Sequence, residues 1–218
     1  MGLQIELDEL YRGFTKKVPP DILDTMLGAT RRLADSGIAE NTLNIGEKAP
    51  DFNLPDPTGK SVGLNELLQK GPVVLNFYRG GWCPYCNLEL NAYKKRLPEI
   101  EELGASLVAI SPQTPDKSLS TAEKNDLEFQ VLSNVGNKTA NEFGLVFKLP
   151  EELHDLYKSF GSDIPKFNGD DTWELPMPGT YVLDKNGTIN FAFADADYTK
   201  RAEPDDVISI LKYLSGKE

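Results

Sequence analysis

Phe77-Tyr78-Arg79-Gly80-Gly81-Trp82-Cys83-Pro84-Tyr85-Cys86 leads from an apolar run, through two glycines, into a cysteine pair. Upstream, Pro72-Val73-Val74-Leu75-Asn76-Phe77-Tyr78 is almost continuously apolar, the pattern of a strand covered on both faces. Downstream, Cys86, Leu90, Tyr93, Leu97 and Ile100 recur with the period of one helix face. Pro84 suits the first helical position, where no N–H is needed and φ is already helical. The stretch predicts a strand, a glycine loop and a helix, with Cys83 at the exposed helix tip and Cys86 on the stripe facing the core.

That placement gives the two sulfurs different chemistry. A thiolate at a helix N-terminus is stabilised by free backbone N–H groups and the positive end of the helix dipole. Arg79, just upstream, adds to this if it points the right way. Cys83 is thus the attacking thiolate, and Cys86, one turn deeper, resolves what Cys83 becomes bonded to. The spacing allows the pair to close to a disulfide. Structural zinc needs about four Cys or His ligands. With two cysteines and only His154, the chain cannot close such a site alone, although zinc shared between subunits and two inert buried cysteines are alternatives. No metal and no cofactor is called for.

The pattern repeats outward. Asp51–Leu54 and a segment after Pro57-Thr58-Gly59-Lys60 suggest two strands around a turn. Ser106–Ile110 reads as a buried strand, followed by a helix from about Pro115 to Asp126. Thr180–Leu183 and Thr188–Phe193 flank Asp184-Lys185-Asn186-Gly187 as a hairpin. A helix from about Pro204 closes the chain, with Val207, Leu211 and Leu214 inward and Gly216 beyond its end. The expected fold class is α/β, a mixed central sheet with helices on both faces. Residues 1–44 read as a separate helical extension ahead of a redox domain over 45–218. Its stripes, Leu3, Leu7, Leu10, Tyr11, Phe14 and then Ile22, Met26, Ala29, Leu33, must be buried on the main domain or on a second subunit, as a homodimer.

The 218 residues are 39% hydrophobic and 26% charged, and 23 basic against 34 acidic side chains leave a net charge of −11. So acidic a surface repels phosphate backbones and anionic lipid, which disfavours nucleic acid and membranes as partners. The start, Met-Gly-Leu-Gln-Ile-Glu-Leu-Asp-Glu-Leu, lacks the basic and apolar regions of a secretory signal. The chain is expected to be cytoplasmic, where a cysteine pair at this spacing points to catalysis or metal before structural bridging.

Several segments together resemble the alkyl hydroperoxide reductase and thiol-specific antioxidant group, the peroxiredoxin-like branch of the thioredoxin superfamily. They are Gly46-Glu47-Lys48-Ala49-Pro50-Asp51-Phe52, Val74–Tyr78, Val108-Ala109-Ile110-Ser111 and Gly179–Gly187. The resemblance runs from about Gly46 to the C-terminus. It implies a thioredoxin-like, peroxiredoxin-type fold, a small hydroperoxide or protein disulfide as substrate, and recycling by thioredoxin or a similar thiol donor. Two departures accompany it. Gly80 stands where such proteins carry Thr or Ser three residues before the reactive cysteine, and Pro178, in Met177-Pro178-Gly179-Thr180, stands where they carry Arg. By the same resemblance Pro178 is a cis-proline facing the cysteines, as in disulfide reductases, and Cys83-Pro84-Tyr85-Cys86 is a glutaredoxin-like tetrapeptide. Trp82 either flanks the substrate cleft, as in thioredoxins, or is a core-edge aromatic.

Losing one group aimed at the transition state commonly costs ~10²-fold in rate. Disulfide exchange is therefore expected to be the main activity and peroxide a slower oxidant, with Arg79 partly replacing the missing Arg. The alternative is a redox-sensing or scaffold module switched by the Cys83–Cys86 bond without turnover. His154 is expected on an exposed helix face, unconnected to Cys83.

Overall fold

The computed structural model describes residues 2–216. Nine strands follow the chain as β1 (Asn53–Pro55), β2 (Ser61–Gly63), β3 (Val73–Phe77), β4 (Ser106–Ser111), β5 (Gln130–Ser133), β6 (Val146–Lys148), β7 (Glu174–Pro176), β8 (Gly179–Leu183) and β9 (Ile189–Ala194) among the described residues. The helices are α1 (Leu3–Thr15), α2 (Pro20–Asp35), α3 (Leu64–Leu68), α4 (Pro84–Glu102), α5 (Pro115–Asn125), α6 (Lys138–Glu142), α7 (His154–Ser159), α8 (Ile164–Asn168) and α9 (Pro204–Ser215). The central sheet has the order β5-β4-β3-β8-β9. In it β3 pairs in parallel with β4 and antiparallel with β8. Two small antiparallel ribbons, β1-β2 and β6-β7, flank it.

β3 is central, and its five residues are all buried, which accounts for its continuous apolar run. Its side chains alternate between two cores. Val73, Leu75 and Phe77 face Leu67 and Leu68 of α3, Ala140 of α6, Phe143 and Tyr181. Val74 faces Tyr93, Leu97 and Ile100 of α4 and Val207 and Leu211 of α9. Helices thus cover both faces of a mixed sheet. Pro204 opens α9 at its first turn and Gly216 ends it with φ 66°.

The apolar stripes of α1 and α2 are buried within the same chain. Leu3 and Leu7 pack with Tyr85, Cys86 and Leu90 of α4. Met26 and Ala29 pack with Leu149, Leu153, Tyr157 and Trp173. Among the described residues no helix is long and apolar enough to cross a membrane.

Candidate active site

The loop between β3 and α4 is built from glycine because nothing larger fits. Gly80 has φ 147°, and a Cβ there would lie 2.4 Å from Trp82 Nε1. A Cβ on Gly81 would lie 2.2 Å from Thr121 Oγ1. Gly81 N–H donates to Gln113 Oε1 at 2.8 Å, and Asn87 Nδ2 donates to the Gly81 carbonyl at 2.9 Å. The fixed loop delivers Cys83 as the extended residue that caps α4, with Pro84 at the first helical position. Pro84 itself is exposed, whereas Tyr85 is buried and meets Tyr198 edge-on at 5.4 Å.

Cys83 and Cys86 are both free thiols, and both are buried, at 1% and 0% exposure. The expected exposed tip at Cys83 is corrected: α1, Trp82 and Tyr85 close over the helix start, and Leu3, Leu7 and Leu10 belong to the same cluster as the two cysteines. Cys83 nevertheless borders a cavity of about 300 Å³, walled by Phe14, Trp82, Tyr157 and Tyr198. The cavity gives a small oxidant a way to a sulfur that is otherwise 1% exposed.

The two sulfurs differ in charge. Burial raises the Cys83 value, but a hydrogen bond from Cys86 and the positive charges of Arg79 and Arg201 outweigh it and bring it down to about 6. Burial and the Cys83 charge push Cys86 well above the ordinary thiol range. The resting pair is a Cys83 thiolate accepting a hydrogen bond from the Cys86 thiol.

Arg79 points inward and is 2% exposed. Its guanidinium lies 5.0, 5.6 and 4.6 Å from the ring centroids of Trp82, Tyr157 and Tyr198, and Nη2 donates to Tyr157 Oη at 2.7 Å. Trp82 is half-buried and sits edge-on to Tyr157 at 5.8 Å, so it serves both as a wall of the cavity and as part of this cage. On the other side Arg201 Nη2 contacts Cys86 Sγ at 3.5 Å. Arg201 Nε is held by Glu89 Oε2 at 2.6 Å, Glu89 Oε1 accepts from Asn76 Nδ2 at 2.8 Å, and Asn76 Nδ2 reaches Thr180 Oγ1 at 3.2 Å. Arg201 also donates to the Tyr198 and Lys200 carbonyls. Burial pushes Glu89 up to about 7 against the opposing pull of Arg201.

Pro178 is a second correction. Among the described residues no peptide bond is cis. Pro178 borders a separate cavity of about 230 Å³ together with Met26, Arg79, Tyr157 and Tyr198, which also border the Cys83 cavity. Pro178 does not border the Cys83 cavity. His154 is half-buried rather than exposed, stacked on Trp173 at 3.7 Å, with Nε2 bonded to the Leu149 carbonyl at 3.0 Å. The described residues hold no cluster of three or more potential metal ligands. Arg201, Glu89, Tyr157 and Tyr198 escaped the sequence reading. Arg201 lies 115 residues from Cys86, and no local spacing marks it. Glu89 did carry a signal, since it lies on the buried side of α4 only three positions after Cys86.

The sequence profile of the AhpC/TSA family matches residues 45–192. Peroxiredoxin Q, chloroplastic, from Triticum aestivum is 32% identical over 75% of this chain and 64% of its own length. The protein of the same name from Gentiana triflora is 32% identical over 78% of this chain and 65% of its own length. The chain therefore spans just under two thirds of each of these relatives. The crystal structure of Peroxidoxin BcpB from Mycobacterium tuberculosis superposes with a TM-score of 0.62 at 25% identity, covering 78% of this chain and 97% of that one. A peroxiredoxin Q structure from Xanthomonas campestris gives 0.56 at 17% identity, covering 75% and 91%, and shows the shared fold.

Proposed function

The chain belongs to the AhpC/TSA family, and from that membership we propose that it is a thiol-dependent peroxidase and antioxidant oxidoreductase working through a Cys83–Cys86 dithiol–disulfide cycle. The observation that carries this reading is the unequal pair: one thiol brought down to about 6 beside a buried arginine, hydrogen-bonded to a partner held protonated.

The chemistry follows from that inequality. The Cys83 thiolate attacks the terminal oxygen of a hydroperoxide, ROOH. An S–O bond forms as the O–O bond breaks, and RO⁻ takes a proton from water and leaves as ROH. Cys83 is then a sulfenic acid. The positive charge of Arg79, which stabilises the thiolate, also acts on the negative charge that develops on the departing oxygen. Cys86 attacks the sulfenic sulfur, its proton and the hydroxyl leave as water, and the disulfide closes within one helical turn. An external dithiol, thioredoxin or a similar donor, supplies two electrons and two protons and is itself oxidised. The near-complete burial of Cys83 favours small hydroperoxides over protein disulfides, the reverse of the order expected from sequence. Turnover requires a reducing compartment, for which we propose the cytoplasm; the plant relatives bear chloroplast names.

The test is steady-state hydrogen peroxide consumption by the full chain with a thioredoxin recycling system, compared with Cys83→Ser and Cys86→Ser. Continuous turnover lost in Cys83→Ser supports the reading. One stoichiometric oxidation followed by arrest would replace it with a sensor that switches without catalysis.

A further inference from the structure

We infer that Arg79 and the apolar cavity beside it form a site for a small organic anion with an apolar body, a medium-chain monocarboxylate, whose occupancy is coupled to the oxidation of Cys83. The cavity, of about 230 Å³, is walled by Met26, Ala29 and Leu33 of α2 and by Phe147, Leu149 and Leu153 across from them. It meets the Cys83 cavity along Met26, Arg79, Tyr157 and Tyr198, which border both. Among the described residues no carboxylate borders either cavity, in a chain whose net charge is −11. The charged groups on the smaller one are Arg32, Lys148 and Arg79, all cationic, with Arg32 paired to Glu152 outside the lining. Its volume is below the ~300–1,000 Å³ of sites for drug-sized molecules, which suits a short chain rather than a peptide.

Arg79 supplies the charge that such a ligand needs. Its guanidinium is buried and forms no ion pair with any acidic side chain among the described residues. Nη2 bonds to a neutral phenol, Nε has no partner, and the remaining neighbours are ring faces. A buried cation without a counter-ion is costly. In the reduced protein the Cys83 thiolate is that counter-ion. Closing the disulfide removes its charge and leaves Arg79 to dipoles alone. A carboxylate entering from the α2 side restores the balance, its chain lying against Met26, Ala29 and Leu149. The thiolate and the ligand therefore compete for one guanidinium, and the ligand binds the oxidised protein more tightly. Reciprocity requires that the ligand, in turn, favour the disulfide. The coupling rests on the Cys83–Cys86 cycle proposed above; the site does not.

Sodium octanoate titrated calorimetrically into the full chain tests this, with octanol as the uncharged probe. We expect octanoate to bind the disulfide form at least tenfold more tightly than the dithiol form, and octanol to show no such preference. Saturating octanoate should then move the midpoint potential about 30 mV more negative, the equivalent of tenfold for a two-electron couple. Ala29→Phe, or Leu33→Trp should that variant not fold, should fill the cavity and weaken octanoate in both states. Equal affinity in the two redox states, octanol binding as tightly as octanoate, or affinity indifferent to the filled cavity would each overturn the inference. Thiol titration of the same samples shows whether the disulfide forms. If it does not, the redox cycle fails, while the octanol comparison and the cavity variants still decide the site.

Discussion

Arg201 Nη2 lies 3.5 Å from Cys86 Sγ, although 115 residues separate the two in the chain. The contact completes an arrangement in which each cysteine faces its own buried arginine, and the two arginines are balanced differently. Arg201 is paired with Glu89, at 1% and 0% side-chain exposure, and its charge also pulls both thiols down. Arg79 has only aromatic faces, a phenol and the Cys83 thiolate. Burial and the Cys83 charge hold Cys86 protonated, and Glu89 is the one buried carboxylate among the described residues.

Alkylation of Cys83 should report the ionisation order of the pair. Its rate is expected to reach half-maximum near pH 6, far below the ordinary thiol value of 9.0. Arg79→Gln should move the midpoint upward by one unit or more. The same shift makes stability pH-dependent. A depressed folded value contributes stability that is complete above about 9 and is lost as pH falls through about 6. Urea denaturation of the reduced protein should show a gain of roughly 1.4 kcal/mol per pH unit across that window. The disulfide form, which has no thiol to titrate, should lack it. A reduced protein with a flat profile there would remove the thiolate from the resting state.

Glu89 gives the opposite slope. Its folded value is raised from 4.5 to about 7, so its favourable contribution is complete below about 4.5 and is lost as pH rises through about 7. Glu89→Gln mimics the protonated carboxyl and has no such slope. Relative to the wild type the variant should gain about 1 kcal/mol per pH unit over that range. It also leaves Arg201 uncompensated, so Cys86 should alkylate at lower pH than in the wild type. Parallel stability profiles for the two proteins would count against a titrating Glu89.

What could be read in advance divides by range. The β3–loop–α4 unit was legible because Val73–Phe77, the glycines, Pro84 and the Cys86–Ile100 stripe are all local signals. The stripes of α1 and α2 were equally legible as helices, but a stripe does not say what it packs on. The burial of Cys83 followed from that docking and was missed. Arg201, Tyr157 and Tyr198 act through tertiary proximity alone. Arg79 was visible, whereas its inward direction depends on Tyr157, 78 residues away.

Gly81→Ala tests the loop without touching a sulfur. The added methyl would meet Thr121 Oγ1 at 2.2 Å, too close for any rotamer change of a packed threonine to relieve cheaply. The loop would have to shift and strain its bonds to Gln113 and Asn87. A loss of about 1–3 kcal/mol is expected, the ordinary cost of overpacking. Thermal unfolding reads it, and Gly81→Ala combined with Thr121→Gly should recover most of it. A double variant no more stable than the single one would mean that Thr121 is not the obstacle.

Access to Cys83 should be governed by α1, and α1 is held at its start by one carboxylate. Glu203 Oε2 accepts from Leu3 N–H at 2.9 Å and Oε1 accepts from Gln4 N–H at 2.8 Å. These are first-turn donors that the helix itself cannot satisfy. The far end of α1 brings Phe14 to the wall of the Cys83 cavity. Glu203→Ala removes both acceptors, a change worth about 1 kcal/mol in comparable helix caps. That shift raises the open population of α1 by roughly fivefold. A hydrogen peroxide molecule enters with the helix in place, whereas a protein disulfide needs it displaced. Insulin reduction should therefore rise severalfold in the variant while peroxide consumption stays near the wild-type rate, and hydrogen exchange should quicken across Leu3–Thr15. If insulin and peroxide rates changed in proportion, or exchange quickened with neither changing, α1 would be a structural cover rather than the gate to the thiolate.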